Sequence, residues 1–173
     1  MKVVFLDRDG VINKEVEYLY KIDDFIFIDG VFQTCRQLIS YGFQLIIITN
    51  QSGIARGYYS EKDFHNLTNW MLSKFSQEGI EFLDVLFCPH GPESSCNCRK
   101  PKPGLLLNAR NLYCIDMLNS WMIGDKKEDL LAAKSAGIKN TILVKSGHPI
   151  DEQSSDAKYI LKSIKETLEV IKF

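Results

Sequence analysis

The stretch Val3–Asn13, VVFLDRDGVIN, runs four apolar residues into two aspartates, Asp7 and Asp9, that flank an arginine. Residues two apart in an extended chain face the same side, so at the end of a strand both carboxylates project into one small volume. Like charges that close repel each other. A bound cation, a shared proton or exposure to water could make the pair tolerable.

Further apolar runs follow: FQLIIITN (43–50), FLDVLFC (82–88), SWMIGD (120–125) and NTILV (140–144). Helical spacing lies between most of them. From Ser60 to Gly79 the apolar positions Phe64, Leu67, Met71, Leu72 and Phe75 recur at helical intervals, with Ser60 as N-cap and Gly79 as stop. Similar patterns predict helices over Gly30–Tyr41, Gly104–Tyr113 and Lys126–Ala136, and a terminal one after Leu161. Strands alternating with helices imply a doubly wound α/β fold, because parallel strands need crossover connections. Ligands in such sheets bind beyond the carboxyl ends of the strands, where this chain places Asp7, Asp9, Thr49, Asn50, Cys88 and Asp125. No internal repeat or linker interrupts the chain, and one domain over residues 1–173 is expected.

Composition narrows the function classes. With 45% hydrophobic and 25% charged residues and a net charge of −1, no basic surplus points to nucleic acid or an anionic membrane. The longest apolar runs fall far short of the ~20 residues a membrane span needs, and the N-terminus lacks a signal-peptide pattern. A cytoplasmic protein is expected. Five cysteines, three of them within 88–98, argue against a secreted disulfide framework and for metal or thiol chemistry.

Three later motifs bear on the aspartate pair. TNQSGIARG (49–57) offers the Thr49 hydroxyl, the Asn50 amide and a close backbone approach at Gly53, a cradle for an oxyanion or an ordinary loop. CRKPKPG (98–104) carries Lys100, a compact cation suited to a phosphate oxygen, beside Arg99, which can grip a second phosphate; a solvated basic turn has the same composition. MIGDKKEDLLAAKSAG (122–137) brings Asp125 to a strand end, while Glu128 and Asp129 read as complements to a helix dipole. Three convergent aspartates are costly unless Mg²⁺ shares them with water and a substrate phosphate. Given that cation, Asp7 can attack phosphorus to form an aspartyl phosphate. Asp9 then protonates the leaving oxygen and later deprotonates water, with Lys100 and Thr49 stabilising the transferred group.

In order and context DRDGV, TN, the lysine of RKP and GDKKED resemble the haloacid dehalogenase superfamily of phosphatases, over nearly the whole chain. The resemblance implies a Rossmann-like sheet, Asp7 as nucleophile, Asp9 as acid/base, Thr49 and Lys100 on the phosphate, and Mg²⁺ held by Asp7, Asp125 and the Asp9 backbone carbonyl. FIDGV, TNQSGIARG, CRKPKPGLLLNAR and MIGDKKEDLLAA are similar to the heptose bisphosphate phosphatases of its histidinol-phosphate phosphatase-like subfamily. That likeness implies hydrolysis of the C7 phosphate of a heptose bisphosphate in ADP-heptose and lipopolysaccharide synthesis. Arg99 would hold the anomeric phosphate, while Asn50, Gln51 and Ser52, with the Glu15–Tyr18 segment, would face the sugar. Histidinol phosphate is the alternative substrate, because the loop CPHGPESSCNC (88–98) is short, as in that branch.

The same loop supplies Cys88, His90, Cys96 and Cys98, a set that closes a tetrahedral zinc shell with no open position. A structural zinc there would order the loop that delivers Arg99 and Lys100. Cys35 and Cys114 read as small buried residues, His65 and His148 as surface or loop histidines, and Gly147–Pro149 as a simple turn. The intervals between motifs leave no room for a lid domain, so a minimal cap and a small substrate gripped by loops are expected. Two readings of other classes compete. A non-catalytic phosphosugar sensor would not need the Asp7 and Asp9 pair, and a nucleic-acid end-processing phosphatase sits poorly with the balanced charge. Nothing in the sequence demands more than a monomer.

Overall fold

The computed structural model describes residues 1–153 and 155–172. Its strands are β1 (Val3–Leu6), β2 (Gln44–Asn50), β3 (Asp84–Cys88), β4 (Trp121–Gly124), β5 (Asn140–Val144) and β6 (Tyr159–Leu161). They form one sheet of order β3-β2-β1-β4-β5-β6, with every neighbouring pair parallel. This is the doubly wound Rossmann order, in which the chain reverses its direction of travel between β1 and β4.

Alternation along the strands explains why both faces are covered. Val4, Leu6, Leu45, Ile47, Ile123, Ile142 and Val144 point into one apolar layer. Helices α1 (Val31–Ser40) and α2 (Glu61–Gln77) cover it with Val31, Cys35, Leu38, Leu67, Met71 and Phe75. Val3, Phe5, Ile46, Ile48 and Met122 point the other way, into a layer closed by α3 (Gly104–Tyr113) and α4 (Lys127–Ser135). Small Ala132, Ala133 and Ala136 let α4 lie close to the sheet.

Helix ends follow the sequence signals. The Ser60 hydroxyl accepts from Asp63 N–H at 3.1 Å and the Asp63 carboxylate accepts from Ser60 N–H at 2.8 Å, a reciprocal capping box. Gly79, at φ 71°, turns the chain after α2 in a left-handed conformation that a Cβ would disfavour. Cys114 departs from expectation: it is exposed and takes the left-handed position that ends α3, rather than packing in the core.

The expected terminal helix is a six-residue 3₁₀ turn, Ile164–Glu169. Its Thr167 hydroxyl donates to the Ile164 carbonyl at 2.7 Å, an alternative partner for backbone that would otherwise sit in an α-helix. Strand β6 is an addition to the five runs legible in the sequence. No described helix is long and apolar enough to cross a membrane.

Candidate active site

Three strand ends and one loop meet at the point where the strand order reverses. Strand β1 delivers Asp7, β2 delivers Thr49 and Asn50, β4 delivers Asp125, and the segment before α3 delivers Lys100. Asp7, Asn50 and Lys100 line a cavity of about 320 Å³ whose walls include Glu15, Tyr18, Ser52 and Arg99, while Thr49 and Asp125 lie buried behind its wall. That volume suits a small polar ligand.

Lys100 is 4% exposed, and three oxygens surround its ammonium. It donates to the Ile48 carbonyl at 2.9 Å, and lies 2.9 Å from Asp7 Oδ1 and 2.5 Å from Asp129 Oδ1. Burial alone would lower its pKa, but Asp129 and Asp7 outweigh that effect and hold it above the usual lysine range. Lys100 is therefore a fixed positive charge. Asn50 holds its backbone from both sides, accepting from Lys100 N–H at 3.0 Å and donating to Lys100 C=O at 3.1 Å.

One lysine does not neutralise what surrounds it. Asp7, Asp125 and Asp129 are all buried and bring one carboxylate oxygen each within 4.8 Å of the others. Burial, helped by Asp129 and Asp9 and opposed by Lys100, pushes the Asp7 carboxyl up to about 6. Burial, then Asp7, raises Asp125 as well, against the pull of His148. Asp125 Oδ1 is buried with no hydrogen-bond partner. An all-oxygen donor set with an orphaned buried carboxylate oxygen fits a hard divalent cation such as Mg²⁺.

Asp9 faces a different environment. Arg8 Nη2 donates to its two oxygens, at 3.0 Å each, Arg8 Nε and Asn13 Nδ2 reach Oδ1 at 3.2 and 3.0 Å, and Gln51 Nε2 reaches Oδ2 at 3.1 Å. Gln51 also donates to the Thr49 hydroxyl at 2.8 Å, while its carbonyl accepts from Tyr59 Oη at 2.6 Å. Tyr59 thereby fixes which way round the Gln51 amide sits. Asn50 and Gln51, expected to face a sugar, border the cavity but use their amides on Lys100, Asp9 and Thr49. Glu15, Tyr18, Ser52 and Arg99 line the open space.

Sequence reasoning missed three members of the cluster. Arg8, 1% exposed, is in sequence only the residue between two aspartates. Asp129 does cap its helix, accepting from Lys126 N–H at 3.0 Å, but it also pairs with Lys100. Its spacing was the available signal: four residues beyond Asp125 on a helix start, with Gly124 leaving the space that its side chain fills. His148, read as a loop histidine, contacts Asp125 Oδ2 through both its backbone N–H and ring Nδ1. His65 is a surface residue, paired with Glu61.

The cysteine loop closes as a unit. Donor atoms of Cys88, His90, Cys96 and Cys98 lie within 4.8 Å of one another, and all the cysteines are free thiols. Sulfur to sulfur, Cys88 is 3.7 Å from Cys96, the separation of thiolates sharing one tetrahedral zinc with bonds of ~2.3 Å, while Cys98 at 3.1 Å lies closer than that geometry requires. Arg99 donates to the His90 carbonyl at 3.2 Å, so this loop reaches the cavity directly.

Comparison with known proteins agrees with this geometry. A HAD-hydrolase-like family model matches residues 97–167. The D-glycero-beta-D-manno-heptose-1,7-bisphosphate 7-phosphatase of Pasteurella multocida is 47% identical over 178 aligned positions, covering 99% of this chain and 97% of its own. The chain belongs to the heptose-1,7-bisphosphate 7-phosphatase family of HAD-like hydrolases. Another member of this phosphatase family, from Photorhabdus laumondii, is 46% identical, covers 91% of this chain and 90% of its own, and carries the alpha anomer in its name. A crystal structure of D,D-heptose 1,7-bisphosphate phosphatase from B. bronchiseptica, complexed with magnesium and phosphate, superposes with a TM-score of 0.86 at 30% identity. The superposition covers 98% of this chain and 97% of that one.

Proposed function

We propose that this chain is a Mg²⁺-dependent phosphatase that removes the C7 phosphate of D-glycero-D-manno-heptose 1,7-bisphosphate, a step of ADP-heptose synthesis. The near full-length identity to enzymes of that name carries the reading. The buried Asp7 and Lys100 beside a cavity of matching size support it.

Asp7, Asp125 and the Asp9 carbonyl would hold the magnesium, which when bound offsets the carboxylate charge and that of the phosphate. Asp7 is the nucleophile. Its attack on phosphorus breaks the bond to the sugar O7 and forms an aspartyl phosphate, while Asp9, entering the step as the carboxylic acid, gives its proton to that leaving oxygen and is left as the carboxylate that Arg8, Asn13 and Gln51 hold. Asp9 then takes a proton from the water that releases phosphate and restores Asp7. Lys100, held by Ile48 and Asp129, and Thr49, held by Gln51, balance charge on the phosphoryl oxygens without having to reorganise. Arg99 binds the anomeric phosphate, and Glu15, Tyr18 and Ser52 face the sugar.

Zinc on Cys88, His90, Cys96 and Cys98 is structural in this reading, since four soft ligands leave no position for substrate. Every residue given a role lies in one chain, so the reading needs no more than a monomer, and a cytoplasmic location goes with it. The two related enzymes carry different anomers in their names, so the anomer is assigned by assay.

The test is kcat/KM for phosphate release, with Mg²⁺, from both anomers of the heptose bisphosphate and from histidinol phosphate, with Asp7→Asn as blank. Strong preference for one heptose anomer is expected. Preference for histidinol phosphate would overturn the assignment and make the short zinc loop the better guide.

A further inference from the structure

The segment after β5 was expected to be only a turn, yet it returns to the reaction centre. Ser146 Oγ donates to the Gly10 carbonyl at 2.6 Å, joining this segment to the loop that carries Asp9. Gly10 and Gly147 pack so closely that a Cβ on either would lie 2.8 Å from the other's Cα and would collide with Asp125 Oδ2. This close approach seats His148 directly on the buried Asp125 carboxylate.

Two donors of His148 converge on one oxygen of that carboxylate. Its backbone N–H reaches Asp125 Oδ2 at 2.9 Å and its ring Nδ1 lies 2.6 Å from the same atom, while Asp125 Oδ1 is left buried and without a partner. Because a carboxylate only accepts, the short contact assigns the ring proton to Nδ1. On the opposite side of the ring, Nε2 lies 3.8 Å from Glu15 Oε1, a residue that lines the cavity. His148 thus touches the candidate cation ligand with one edge and the substrate side with the other.

We infer that His148 is a positioning residue for the cation. It ties up Oδ2 of Asp125 so that Oδ1 alone is presented to the metal, in the way that partners behind a ligand fix its orientation. The inference rests on the proposed reading of Asp125 as a magnesium ligand, and the experiment below separates the two.

The probe is Mn²⁺, whose free ion is counted by its electron paramagnetic resonance signal, titrated into the full-length protein without substrate. The proteins are wild type, Asp125→Asn, His148→Ala, His148→Asn and His148→Gln. Asparagine places an amide N–H where Nδ1 stood, whereas glutamine places it nearer to Nε2. His148→Ala and His148→Gln are expected to weaken Mn²⁺ binding ~10-fold while His148→Asn stays within ~3-fold of wild type, the scale usual for partners behind a metal ligand. Wild-type affinity in His148→Ala would overturn the inference, as would equal losses in all three variants. If His148→Ala does not fold, the contrast between asparagine and glutamine decides alone. Undiminished Mn²⁺ binding by Asp125→Asn would instead overturn the ligand assignment on which the inference stands. A purely structural role for His148 would lower the thermal midpoint without separating asparagine from glutamine.

Discussion

The ammonium of Lys100 sits 2.9 Å from Asp7 Oδ1 and is held there from behind by Asp129 at 2.5 Å. Asp129 serves two purposes, capping α4 and fixing the position of the Lys100 ammonium beside Asp7. Asp129→Asn removes the charge but keeps an oxygen. Lys100 keeps Asp7 as its counter-charge, so what is lost is one charge-assisted hydrogen bond, about 1.5 kcal/mol. Urea unfolding should show a loss of that order, and kcat/KM should fall ~100-fold as Lys100 loses its fixed place. Stability unchanged within the error of the unfolding curves would mean that Lys100 does not depend on Asp129.

Arg99 stands at the junction of the cysteine loop and the cavity, donating to the His90 carbonyl. If it binds the second phosphate, Arg99→Ala should lower kcat/KM for the heptose bisphosphate by ~100-fold or more, the scale of a lost charge-assisted contact. A monophosphate, with no second anion to lose, should be affected far less. Equal losses on both substrates would place Arg99 on the reacting phosphate or in the fold.

Zinc makes a separate prediction. Metal analysis of the purified protein should find about one zinc per chain, bound through four ligands. Removing it with a chelator should lower activity by loosening the segment that carries Arg99 and Lys100, while the Mg²⁺ concentration needed for half-activation stays the same. Full activity in a folded, zinc-free protein would rule out that supporting role.

The buried carboxylates also set a pH dependence. The folded-state pKa of Asp7, about 6, lies above its ordinary value of 3.8, so the folded chain binds more protons between those limits than the unfolded chain does. Its contribution to stability is complete below pH 3.8 and is lost as pH rises through about 6. Metal-free protein should therefore lose thermal stability over that window on account of this group. Mg²⁺ favours the ionised carboxylates, so it should raise the thermal midpoint more at pH 7 than at pH 4.5. A Mg²⁺ shift equal at both values would show that the cation binds elsewhere.

The parts of this architecture legible in the sequence were those written in periodicity. Val3–Leu6 and the Leu45–Ile48 run of β2 read as strands because their side chains are apolar on both faces, and α2 is legible through Ser60 and its three- and four-residue spacing. Strand β6 did not, since three half-buried residues at a sheet edge make no apolar run. Asp7 and Asp125 could be placed from the rule that ligands lie beyond strand ends. Asp129 and His148 could not, because each also satisfies a local reading as a helix cap or a turn, and only the tertiary structure supplies Lys100 and Asp125 as partners. Asn50 and Gln51 were found by position, but their hydrogen bonds to Lys100 and Asp9 depend on a loop 50 residues away and on the strand beside them.

The most direct test of the account is to identify the product by ³¹P NMR when the wild-type protein and Mg²⁺ act on D-glycero-D-manno-heptose 1,7-bisphosphate. With Arg99 on the anomeric phosphate and Asp7 on the other, the expected spectrum shows inorganic phosphate and heptose 1-phosphate, the C7 signal having disappeared. Accumulation of heptose 7-phosphate would show that the sugar binds the opposite way round and would contradict the roles given to Arg99 and Asp7.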